Sequence, residues 1–129
     1  MSNNNHPTSP HLQIYRLPLT ALLSITHRIT GVILAFGCVL LVWILASAAE
    51  GAEAYQSLVP HLGSWYGQIF MLGFVFSLYL HFCNGIRHLF WDVGYGFELE
   101  VVDITAKLAI ALSVLLTIAN WVVAGVSGP

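Results

Sequence analysis

Charge is scarce in this chain: only 8% of its 129 residues are Asp, Glu, Lys or Arg. A soluble domain of this size carries about a quarter charged residues. So thin a polar coat excludes a water-soluble globule, and a hydrophobic content of 57% points instead to an integral membrane protein. Cysteine is nearly absent. Cys38 and Cys83 lie in separate apolar stretches at different depths, and two such thiols make neither an iron–sulfur nor a zinc site. Both are read as small apolar filler. There is also no glycine-rich dinucleotide motif. The chain therefore houses neither flavin nor an iron–sulfur centre of its own. It shows no internal repeat and no low-complexity segment.

What is abundant is uninterrupted apolar sequence. Ile29 to Ala49, Trp65 to Ile86 and Leu108 to Pro129 contain no Asp, Glu, Lys or Arg, and each is long enough for the ~20 residues a helix needs to cross a bilayer. Continuous apolar runs argue for helices rather than barrel strands. The expected fold is an all-α membrane protein with three transmembrane helices in a bundle. The spans are placed at about 25–49, 64–91 and 104–127 of a domain covering residues 20–129, preceded by an N-terminal arm at 1–19. Pro7, Pro10 and Pro18 make that arm irregular. The segments Glu50 to Ser64 and Gly94 to Asp103 are read as loops.

Arg16, Arg28, Arg87 and Lys107 all fall on one side of a three-span arrangement. Lys and Arg collect on the cytoplasmic side, so the N-terminus is expected in the cytoplasm and the C-terminus on the opposite side. The opening residues lack the apolar core of a signal peptide and the Arg-rich pattern of a mitochondrial presequence. The expected location is a bacterial inner membrane, with the mitochondrial inner membrane as the alternative.

Polar residues inside so apolar a chain are informative. At 100° per residue, His88 lies about 20° in azimuth from His81 and ~10 Å closer to the cytoplasmic side. Asp92 follows on nearly the same face. Gly73, Ser77 and Gly85 line the same stripe, and small residues in a membrane helix mark close approach of a backbone or a flat ligand. Two readings stand. In one, His81 binds a haem iron axially and His88 meets the propionates at the rim, with Arg87 supplying charge nearby. In the other, the histidine hydrogen-bonds a neighbouring helix and the stripe is helix packing. The haem reading has a consequence. His81 is the only histidine deep in a span, so a second axial ligand must come from another polypeptide.

The segment "SITHRITG", Ser24 to Gly31, is the other unusual stretch. Ser24 and Arg28 share a helix face by their i, i+4 spacing, while His27 points to a neighbouring one. A hydroxyl beside a guanidinium suits a quinone, whose oxygens gain negative charge on reduction. The plainer reading has Arg28 snorkelling to lipid phosphates and Ser24 capping its own backbone.

Three motifs occur together in order: "SPHLQIY" at Ser9 to Tyr15, "SITHRITG" at Ser24 to Gly31, and "HFCNGIRHLFWDVG" at His81 to Gly94. With the three-helix frame they span nearly the whole chain, and the set resembles the cytochrome b-type membrane anchors of succinate dehydrogenase (respiratory complex II). An Arg-Pro that often precedes the Ser-Pro-His in that family is replaced here by His6 and Pro7. The resemblance implies His81 as the axial ligand of haem b and His27 and His88 as propionate contacts. It also implies Ser24 and Arg28 as part of a ubiquinone site. Implied partners are a second membrane anchor subunit, an iron–sulfur subunit and a flavoprotein subunit. The chain would then belong to an enzyme without carrying a complete active site. Two alternatives are a cytochrome b anchor of another oxidoreductase, such as a formate dehydrogenase or hydrogenase, and a haem-free structural membrane subunit.

Overall fold

The computed structural model describes residues 16–126, so the motif Ser9 to Tyr15, with His6, His11 and the arm prolines Pro7 and Pro10, lies outside the described residues. Four helices follow one another: α1 Leu19–Glu50, α2 Ala52–Gly63, α3 Trp65–Asp92 and α4 Leu99–Val126. Helices α1, α3 and α4 are long and apolar enough to cross a membrane. The three expected spans are present, α1 extending past both ends of its uncharged run, α3 past its C-terminal end and α4 past its N-terminal end.

Helix α1 begins directly after Pro18, whose carbonyl accepts from the amides of Ala21 and Leu22 at 3.0 and 3.2 Å. Its 32 residues reach about 48 Å at 1.5 Å per residue, well beyond a ~30 Å hydrocarbon core. Its first turns, which hold Ser24, His27 and Arg28, thus have length to spare at the membrane surface. The helix stops at Gly51, where φ is +129°, a backbone conformation that favours glycine.

The expected loop Glu50 to Ser64 is instead mostly the helix α2. Ala54, Leu58 and Leu62 repeat at i, i+4, i+8 and turn inward, while Glu53, Gln56, Ser57 and His61 face out. Pro60 and Gly63 suggested a loop, but Pro60 falls in the last turn, where one lost backbone bond does not stop the helix. Twelve residues are too few to span a bilayer. The Ser64 hydroxyl then caps α3 by accepting from the Gly67 amide at 3.1 Å.

Between α3 and α4 the chain turns through Gly94 (φ +87°) and Gly96 (φ +80°), and the Trp91 indole donates to the Gly96 carbonyl at 3.0 Å. Helix α3 is central, packing against α1 on one side and α4 on the other. The interior is small and polar: Thr30, Ser77, Asn84, Arg87, Ser113 and Thr117 are buried beside Leu23, Leu80 and Ala106. Large side chains such as Phe36, Val42, Leu89 and Leu115 face outward. In lipid no hydrophobic force drives helices together, so close packing and hydrogen bonds among small residues hold the bundle.

Candidate functional site

His81 projects from α3 toward the first turns of α1. Its Nδ1 lies 3.1 Å from the His27 carbonyl oxygen and 3.1 Å from the Thr30 hydroxyl. A carbonyl oxygen only accepts, so Nδ1 carries the ring proton and Nε2 keeps its lone pair. Among the described residues Nε2 has no hydrogen-bond partner.

The His27 ring lies flat on His81, with centroids 4.0 Å apart and planes 10° from parallel. On its other side stands His88, with centroids 5.0 Å apart, and His88 in turn meets the edge of Trp91 at 5.1 Å. A column of three imidazoles thus runs along the α1–α3 seam. The shared face of His81 and His88 was legible from spacing. The insertion of His27 between them was not, because it depends on how α1 docks. One signal was available: Gly85 lies between the two histidines on α3, and a Cβ there would come within 3.8 Å of His27 Cε1. Gly31 plays the same part opposite His81, where a Cβ would lie 3.1 Å from Cε1.

The column is incomplete. His27 Nδ1 is buried and lacks a hydrogen-bond partner, the one such side-chain atom among the described residues. A buried polar atom without a partner costs about 1–3 kcal/mol, so this position calls for a group from outside the described residues.

Arg87 lies elsewhere. It is 7% exposed, and its guanidinium turns into the α3–α4 seam rather than toward the column. Nη1 donates to Asn84 Oδ1 at 2.7 Å, Nε to the Thr105 hydroxyl at 3.2 Å, and Nη2 to the Val102 carbonyl at 3.1 Å. Its Cζ stacks 4.7 Å over the Trp91 ring. Asn84, 1% exposed, donates to the Leu23 carbonyl of α1 at 3.0 Å. The pair therefore ties all three spanning helices together. Nothing in the local sequence announced this, since the partners come from three helices.

Ser24 is half-buried and Arg28 is exposed at the start of α1, and neither side chain has a partner among the described residues. Cys38 is exposed and Cys83 buried. No three His, Cys, Asp or Glu side chains converge as a metal site among the described residues.

Comparison with known proteins identifies the family. Residues 2–120 match the family described as succinate dehydrogenase/fumarate reductase transmembrane subunit. The chain is 42% identical over 123 residues to a succinate dehydrogenase cytochrome b556 subunit of Paracoccus denitrificans, covering 95% of each. It is 44% identical to the protein of the same description from Rickettsia prowazekii (strain Madrid E), over 92% of this chain and 93% of that one. A succinate dehydrogenase cytochrome b560 subunit of Reclinomonas americana is 37% identical, over 94% of this chain and 88% of the relative. With three spanning helices and a match over nearly its full length, the chain belongs to the family of succinate dehydrogenase/fumarate reductase transmembrane subunits.

Proposed function

We propose that this chain is the membrane anchor of a succinate:ubiquinone oxidoreductase, holding haem b jointly with a second anchor subunit and forming part of the ubiquinone-reduction site. The observation that carries the reading is His81, whose Nδ1 is held by hydrogen bonds while Nε2 stays free. An imidazole so held is a ready axial ligand. The buried, unpartnered Nδ1 of His27 fits the same group, since a propionate would satisfy it. His27 and His88 take the propionate role. Arg87 acts as the clamp of the helix bundle, its donors being committed to Asn84, Thr105 and Val102.

Haem bound there supplies one-electron exchange within the membrane. The residues of this chain position it and keep water out. A further iron ligand would come from the partner anchor, because His27, the neighbouring histidine, stacks flat on the His81 ring instead of facing it across a haem. Ser24 and Arg28, without side-chain partners among the described residues, face an incoming ubiquinone. Ser24 donates to a carbonyl oxygen, and Arg28 stabilises the negative charge that grows there on reduction more than it stabilises the neutral quinone. Electrons arrive from succinate through the flavoprotein and iron–sulfur subunits, neither of whose cofactors this chain can hold. The one-sided distribution of Arg16, Arg28, Arg87 and Lys107 supports a cytoplasmic N-terminus, in a bacterial inner membrane.

The test is made on membranes carrying all four subunits. Succinate is expected to reduce ubiquinone and to elicit a b-type spectrum. In Arg28→Gln the KM for ubiquinone rises about tenfold, equivalent to about 1.4 kcal/mol, and the haem spectrum is unchanged. Wild-type KM and kcat in that variant would return Arg28 to the lipid headgroups. Absence of any b-type signal in the assembled wild type would overturn the haem assignment.

A further inference from the structure

Thr30 is buried on α1 beside His81, and its hydroxyl takes part in a closed triangle. Its O–H donates to the His27 carbonyl at 2.9 Å, and its oxygen lies 3.1 Å from His81 Nδ1. Nδ1 also lies 3.1 Å from that same carbonyl. Only one assignment of protons satisfies all three contacts. The hydroxyl proton goes to the carbonyl, and the imidazole proton is shared between the carbonyl and the Thr30 oxygen. Other hydroxyls, such as Ser47 on the Trp43 carbonyl and Ser113 on the Ala109 carbonyl, bond back within their own helix. Thr30 does that and also reaches across to an imidazole of α3.

The triangle is rigid for local reasons. A β-branched side chain has restricted χ1 freedom in a helix, and the bond to the carbonyl three residues back selects the rotamer. Gly31, next in sequence, leaves the space that lets α1 come this close to the ring. Thr30 is buried, so bulk water is kept from competing for the shared proton.

We propose that Thr30 is a positioning residue for His81: its hydroxyl, with the His27 carbonyl, fixes the tautomer and ring plane of the imidazole and so tunes the potential of the iron that Nε2 binds. This rests on the haem reading above. A hydrogen bond at the non-ligating nitrogen makes the imidazole more basic and favours ferric iron. Removing one of two acceptors therefore raises the potential.

The experiment compares Thr30→Val, Thr30→Ala and Thr30→Ser with wild type in the assembled complex. The readouts are the haem midpoint potential from an optical redox titration and the low-spin ferric EPR spectrum, which responds to the axial ring planes. Val and Ala are expected to shift the potential upward and alter the EPR spectrum, whereas Ser stays at wild-type values. Val tests the hydroxyl at constant shape, and Ala guards against an effect of packing alone. Unchanged potential and EPR spectrum in both hydroxyl-free variants, or a Ser variant that behaves like Val, would overturn the proposal. If the haem signal proves independent of His81, the haem reading itself fails. A haem that depends on His81 but ignores Thr30 sinks this inference alone.

Discussion

Along α3, the face toward α4 and the face toward α1 treat their polar groups differently. Toward α4, Ala106, Ala109, Ser113 and Thr117 form a buried stripe, and both hydroxyls bond back to their own helix. Arg87 and Asn84 complete that side, with both side chains hydrogen-bonded. Toward α1, three imidazoles stack, one ring nitrogen is buried without a partner, and the Nε2 of His81 has none among the described residues. The first seam is finished within the chain. The second is half of something. A membrane interior makes the contrast meaningful, because no solvent is present to complete an unfinished polar group.

The largest effect is expected where the finished seam is broken. Arg87→Ala strands Asn84 Oδ1 in the interior, and losing a hydrogen bond to a charged group costs about 1.5–3 kcal/mol. The level of assembled subunit in the membrane should fall severalfold, read by detergent extraction and thermal unfolding. A variant that assembles and melts like wild type would mean the clamp contributes little.

The opposite result is expected in the unfinished seam. His27→Phe keeps a flat ring between His81 and His88 but removes the unpartnered nitrogen. Folding stability should hold or rise by up to about 1 kcal/mol, since a buried polar atom without a partner is deleted. Haem content of the purified complex should nevertheless fall. A variant with full haem content would deny His27 its propionate role, and one that is strongly destabilised would make the column a structural device.

The two seams also differ in how far they could be read from sequence. Spanning helices follow from charge-free runs, so the presence of α1, α3 and α4 was legible, whereas α1 begins at Leu19 and α4 at Leu99, before the expected starts of about 25 and 104. Helix α2 was not, because Pro60 and Gly63 mark a loop on composition, whereas the stripe of Ala54, Leu58 and Leu62 decides for a helix. On the functional side, the alignment of His81 with His88 needs only helix geometry. Placing His27 between them requires the α1–α3 docking that Gly31 and Gly85 permit. Arg87 shows the limit most clearly. Its charge was expected near the haem rim, but its commitment to Thr105 and Val102 depends on how α4 docks against α3.

The most direct measurement is the reduced-minus-oxidised spectrum of the assembled complex carrying His81→Gly, recorded with and without added imidazole. If the α1–α3 seam is half of a haem site ligated by His81, the b-type signal is lost or strongly shifted in the variant and returns when imidazole fills the space. A wild-type spectrum in His81→Gly, indifferent to imidazole, would contradict the account and place the ligand elsewhere.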